Sequence, residues 1–189
     1  ALNAHRGIGL SSDGFPRHKL NRLRGDISIG HVRYSTYGSS ELKNVQPLPV
    51  DYARGSMALG HNGNLVNANL LREELEHEGA IFQYTPDSEV IIQLIARSKE
   101  SEFAASAIDA LRRGVGAYTI VATNGECVVA ARDPMGFRPL WLGRLGNAYI
   151  LASETCGLDI IDADWVREIE PGEVITVTPD GIESTKPFA

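Results

Sequence analysis

Cysteine is scarce in this sequence: of 189 residues only Cys127 and Cys156 carry a thiol. Two are too few for a disulfide framework or a four-ligand structural zinc site. No stretch approaches the roughly 20 consecutive apolar residues that a membrane-spanning helix needs. Ala1 to Arg6 contain no apolar core of a secretory signal. Positive charge is in deficit, with a net charge of −6 and a pI near 5.4, so nothing favours nucleic acid as a partner. No His, Cys or carboxylate pair shows metal-ligand spacing. These absences make a cytoplasmic enzyme or binding domain, with no metal in it, the default expectation. An initiator Met is missing too. The sequence enters at once on Asn3-Ala4-His5-Arg6-Gly7-Ile8-Gly9-Leu10, which reads as mid-domain, so the chain is expected to be a fragment.

What is present is enough apolar residue, 43% of the chain, for one sizeable core. The chain divides into three patterned regions. Residues 1–25 are rich in Gly, Ser and Arg and read as loop. Asp26 to Arg33 alternates polar and apolar, the pattern of a half-buried strand. Residues 41–55 hold Pro47 and Pro49 and read as irregular. Residues 56–61 form a strand that delivers Asn62 and Gly63. Asn67 caps a helix to about Glu78, followed by a short strand at Ile81–Tyr84. Thr85-Pro86 opens a second helix, and residues 102–113 form a third. Beyond residue 115, strands follow in hairpins: 117–123 with 126–132 through Asn124-Gly125, 137–144 with 148–153, then 165–169, 173–178 and 182–186. One helical turn is expected at 155–159. Strands, then helices, then many linked strands predict an α+β fold with antiparallel sheets.

Polar clusters sit at strand ends and helix starts: His31-Arg33-Thr36, Asn62-Gly63 and Asp87-Ser88-Glu89. Arg33 can grip a carboxylate with two parallel N–H bonds. Asp87 can accept from an ammonium group. The Asn62 amide and the Gly63 N–H can hold an oxygen that gains negative charge. Together they complement an α-amino acid with a side-chain carbonyl. Each has a plainer reading. Asn-Gly is a strong turn signal, and Arg33 suits a solvated strand end. Asp87 suits the first turn of a helix, where the macrodipole favours an acid. His31 and His61 read as hydrogen-bonded structural residues. Cys127 reads as core, and Cys156 has no base placed near it by the sequence.

Six blocks carry a resemblance. Gly30-His31-Val32-Arg33-Tyr34-Ser35-Thr36, His61-Asn62-Gly63-Asn64-Leu65 and Asp87-Ser88-Glu89-Val90 resemble the glutaminase domain of the amidophosphoribosyltransferases. So do Arg132 to Leu140, Ala152 to Asp159 and Glu170-Pro171-Gly172-Glu173. The resemblance implies an N-terminal-nucleophile hydrolase αββα sandwich, here N-terminally truncated, with residues 1–189 as a single partial domain. It implies hydrolysis of glutamine by an N-terminal cysteine whose own α-amine is the base. Ammonia would pass to a phosphoribosyltransferase domain that uses phosphoribosyl pyrophosphate and magnesium, the first step of purine synthesis. By motif match, Arg33 would hold the glutamine carboxylate and Asp87 its amino group. Thr36 and His61 would line the substrate site, and Asn62 and Gly63 would form the oxyanion hole. No cofactor is implied for this domain; whether an iron–sulfur cluster belongs to the remainder stays open. The assembly expected is a homo-oligomer, with neither nucleic acid nor membrane as partner. The nucleophilic cysteine is not in this sequence, so the chain alone is expected to be inactive. Two rivals remain: a glutaminase domain of another amidotransferase of this class, and a non-catalytic glutamine-binding module.

Overall fold

The computed structural model describes residues 2–32 and 42–188. Two short helices, α1 (Ser11–Gly14) and α2 (Arg17–Leu20), interrupt the predicted N-terminal loop. A 3-10 turn at Leu42–Asn44 leads to β1 (Leu48–Tyr52), which hairpins into the long β2 (Gly55–Leu65). Helices α3 (Ala68–His77), α4 (Ser88–Arg97) and α5 (Phe103–Leu111) follow. The rest is β3 (Gly116–Thr123), β4 (Val128–Arg132), β5 (Trp141–Leu145), β6 (Ala148–Ala152), α6 (Thr155–Asp159), β7 (Asp164–Glu168), β8 (Val174–Thr178) and β9 (Gly181–Thr185). One sheet has the order β1-β2-β3-β4-β8-β9, the other β6-β5-β7, and every pairing is antiparallel.

Alternation along the strands builds two cores. Met57, Leu59, Tyr118, Ile120 and Val129 turn one face of the large sheet to α3, α4 and α5, where Leu75, Ile91, Ile95 and Leu111 meet them. The other face offers Ala130 and Ile175 to Leu142 of the small sheet, with Leu140 and Ile169 between. On the far side of the small sheet, a Cβ on Gly143 would lie 2.7 Å from Leu158 of α6, so that helix seats directly on the β5 backbone. Helices, large sheet, small sheet and α6 therefore form four layers, the expected α+β sandwich.

Several local expectations fail for identifiable reasons. Residues 26–32 form no strand, although Ile27, Ile29 and His31 are half-buried in alternation; they have no ladder partner among the described residues. Ile81–Tyr84 is not a strand either. The buried Glu89 carboxylate takes the N–H groups of Gln83 and Tyr84, at 2.8 and 2.7 Å, in place of a neighbouring strand. Pro49 lies inside β1, which is possible because β1 is an edge strand. The β3–β4 connection spans Asn124 to Cys127 rather than two residues. There the Asn124 side chain accepts from the N–H groups of Glu126 and Cys127. Residues 137–140 are loop, and β5 begins only at Trp141. Asn67 holds the N-cap position of α3, but its side chain makes no cap hydrogen bond; its amide instead bonds Arg113 C=O and Val115 N–H, tying α3 to the start of β3.

Candidate functional site

Asn62-Gly63 is neither a turn nor a strand end. Both residues lie inside β2, opposite Thr119 and Tyr118 of β3. Tyr118 spends its own N–H and C=O on Asp133, on the side away from β2. Gly63 and Tyr118 are therefore a non-hydrogen-bonded pair, and the Gly63 N–H and C=O point to the opposite edge of β2. The strands approach closely here. Gly63 has φ +148°, and a Cβ on it would lie 2.0 Å from Ala117 O. Only glycine fits.

The edge that Gly63 faces is unusual. β1 covers it only as far as the Leu48–Leu59 pair. Beyond that point, among the described residues, side chains take the place of a strand. His61 N–H donates to Gln46 Oε1 (2.6 Å), and His61 C=O meets Gln46 Nε2 at 3.3 Å and His31 Nε2 at 3.1 Å. Leu65 N–H donates to Asp87 Oδ2 (2.7 Å). Between these occupied groups lies the Gly63 N–H, with no partner among the described residues. The Asn62 side chain stands on the inter-sheet face next to Thr119, whose hydroxyl donates to the carbonyls of Arg138 and Pro139. Asn62 and Gly63 thus border one corner between that face and the open edge.

Asp87 precedes α4 but makes no side-chain cap there. Its second oxygen lies 3.4 Å from His61 Nδ1, which is also 3.2 Å from Ser88 Oγ. Burial by itself raises the Asp87 pKa. The hydrogen bond and charge of His61 and the N–H of Leu65 outweigh it, so the net shift is downward. An ionised carboxylate only accepts, so His61 Nδ1 carries the proton. His61 is 4% exposed, and its Nε2 has no partner among the described residues. Arg33 and Thr36, the remaining sequence candidates, lie outside the described residues.

Neither thiol is activated. Cys127 lies in the loop ahead of β4, not within a strand, and burial followed by Glu126 and Glu102 pushes its pKa up. The exposed Cys156 is raised mainly by its hydrogen bond to Glu154. Among the described residues no three or more His, Cys, Asp or Glu gather as a metal site, and no helix is long and apolar enough to cross a membrane. A cavity of about 600 Å³ adjoins this edge, between the N-terminal segment and Ala58 and Thr123, with His31 and Gln46 in its lining. The Gln46 contact was not legible in the sequence: nothing about a Gln-Pro dipeptide signals a side chain standing in for a strand.

The family model for the glutamine amidotransferase domain matches residues 31–159. Amidophosphoribosyltransferase 2, chloroplastic, of Arabidopsis thaliana is 52% identical over 96% of this chain and 33% of its own length. Amidophosphoribosyltransferase of Bacillus subtilis (strain 168) is 42% identical over 98% of this chain and 39% of its own. Among solved structures, the glutamine phosphoribosylpyrophosphate amidotransferase of B. subtilis, complexed with ADP and GMP, superposes with a TM-score of 0.92. It shows 41% identity over 98% of this chain and 40% of that one. The chain thus spans a third to two-fifths of the length of these relatives, and that match carries with it the N-terminal-nucleophile hydrolase fold. The chain belongs to the glutamine amidotransferase domain family and corresponds to the glutamine amidotransferase part of the amidophosphoribosyltransferases.

Proposed function

We propose that this chain is the part of an amidophosphoribosyltransferase that binds glutamine and releases its amide nitrogen as ammonia. A phosphoribosyltransferase part of the same protein then joins the ammonia to phosphoribosyl pyrophosphate. The nucleophile in this reading is an N-terminal cysteine that the present sequence does not contain. Its thiolate attacks the carboxamide carbon, and the carbonyl oxygen becomes an oxyanion held by Asn62 Nδ2 and Gly63 N–H. Collapse expels ammonia and leaves a thioester, which water hydrolyses to glutamate. Asp87 receives the substrate ammonium on the lone pairs that Leu65 and His61 leave open. Its depressed pKa keeps it charged into the pH range where a carboxyl ordinarily takes up its proton. Arg33 takes the carboxylate, and Thr36 and His61 complete the substrate site.

The observation that supports this reading best is the Gly63 N–H, left without a partner among the described residues between the occupied N–H groups of His61 and Leu65. The test is Asn62→Ala in a full-length protein with its N-terminal cysteine. Glutamine hydrolysis is expected to lose roughly 10²–10³ in kcat, with KM for glutamine little changed. A change confined to KM removes Asn62 from the oxyanion role.

A further inference from the structure

We propose that Gln46 is a positioning residue for the oxyanion donors. Its carboxamide bonds the edge of β2 just past the end of β1 and so aims Asn62 and Gly63. The inference rests on the glutamine-hydrolysing function proposed above.

The ladder register shows what Gln46 replaces. β1 pairs Leu48 with Leu59 and Pro49 with Ala58, so the next inward-facing position of that ladder sets residue 46 opposite residue 61. A continuing strand would bond His61 through its main chain. Gln46 occupies the position but bonds through its side chain, accepting from His61 N–H at 2.6 Å and donating to His61 C=O at 3.3 Å. A primary amide carries an acceptor and a donor pair on one planar group, the same pattern as a peptide unit. It is one of few side chains that can mimic a strand at a single residue.

A main-chain strand passing His61 would run on past Gly63 and take its N–H as well. A side chain stops after one residue. Gln46 therefore satisfies His61, which is buried, and leaves the next outward N–H unclaimed by any described residue. At 6% exposed, Gln46 is itself too buried to exchange these bonds for water. Asp87 does the same at Leu65 from the other direction. The two side chains bracket Gly63, and the His61–Asn62 peptide between Gln46 and the reacting corner cannot rotate without breaking a buried bond.

The experiment compares wild-type full-length protein with Gln46→Met, which keeps length and removes both bonds. A misplacement of about 1 Å at a reacting group costs on the order of 10²-fold in rate. Glutamine hydrolysis should lose about 10- to 100-fold in kcat while KM stays within about threefold. An aldehyde analogue of glutamine, whose adduct with the cysteine places a charged oxygen in the hole, should lose affinity in the same proportion as kcat. Glutamate affinity should not move. The ratio of the two affinities does not depend on how much of the variant is folded, so a partly folded preparation still decides the matter. An unchanged ratio, or kcat and KM rising and falling together, overturns the role of Gln46. Wild-type protein that turns over no glutamine overturns the function proposed above, and this inference with it.

Discussion

Gly63 and Gly116 lock β2 against β3 from both sides. A Cβ on Gly63 would lie 2.0 Å from Ala117 O, and one on Gly116 would lie 2.2 Å from Asn64 O. Both hold positive φ, at +148° and +155°, where L side chains are strained. The close approach brings the Gly63 backbone to the site while the neighbouring strand stays hydrogen-bonded through Asn62. Gly116 has no part in the proposed chemistry, which separates packing from function. Gly116→Ala and Gly63→Ala should each cost roughly 3 kcal/mol, from overpacking together with backbone strain. Equal losses in chemical denaturation would place both glycines in the packing role; a loss below 1 kcal/mol at Gly116 would show that the strands can part at little cost. The motif His61-Asn62-Gly63 and its N–H donor were visible in the sequence, but the close packing of Gly63 against β3 was not. Asn-Gly in isolation favours a turn, and what overrides that preference is β3, more than fifty residues away.

At the scale of elements, Glu173 joins three parts of the C-terminal half. Its carboxylate accepts from Arg167 through two N–H groups at 2.8 and 2.5 Å, from Glu170 N–H at 2.7 Å and from Ser184 Oγ. This ties β7 of the small sheet to β8 and β9 of the large one. Burial pushes the Glu173 pKa up, but Arg167, Ser184 and Glu170 N–H more than offset it and hold it at about 2, against an ordinary 4.5. A depressed carboxylate pKa contributes stability that is complete above the unfolded value and lost as pH falls through the folded one. Arg167→Met should therefore lower stability at pH 7 by about 1.5–3 kcal/mol, the range for hydrogen bonds to a charged group. The gap between wild type and variant should close between about pH 4.5 and 2, in urea titrations at a series of pH values. A gap independent of pH would mean that Arg167 acts by packing alone. The hairpins of this half were legible because their turns and alternation are local. The ends were less so: Phe137 and Arg138 look like strand, but their N–H groups are taken by the buried Asp133.

For the molecule as a whole, the two cores are unequal. The helix-facing cluster draws on α3, α4, α5 and five strands, whereas the inter-sheet cluster has five buried members among the described residues, Leu142 among them. Leu142→Ala should cost about 2–5 kcal/mol, and the loss should be local. Amide exchange in β5, β6 and β7 should quicken while β2 and β3 keep their protection. Equal acceleration in both sheets would show that the layers unfold as one. The sequence by itself determined the α+β class, the three long helices and most hairpins, and it offered Asn62, Gly63 and Asp87 as candidates, because period, capping residues and short motifs are local properties. Only the tertiary structure decided that residues 26–32 pair with nothing described, that Glu89 replaces a strand at residues 83 and 84, and that Gln46 and Asp87 bracket Gly63. Those outcomes depend on which backbone edge is left free once distant strands have paired, and no window of sequence contains that information.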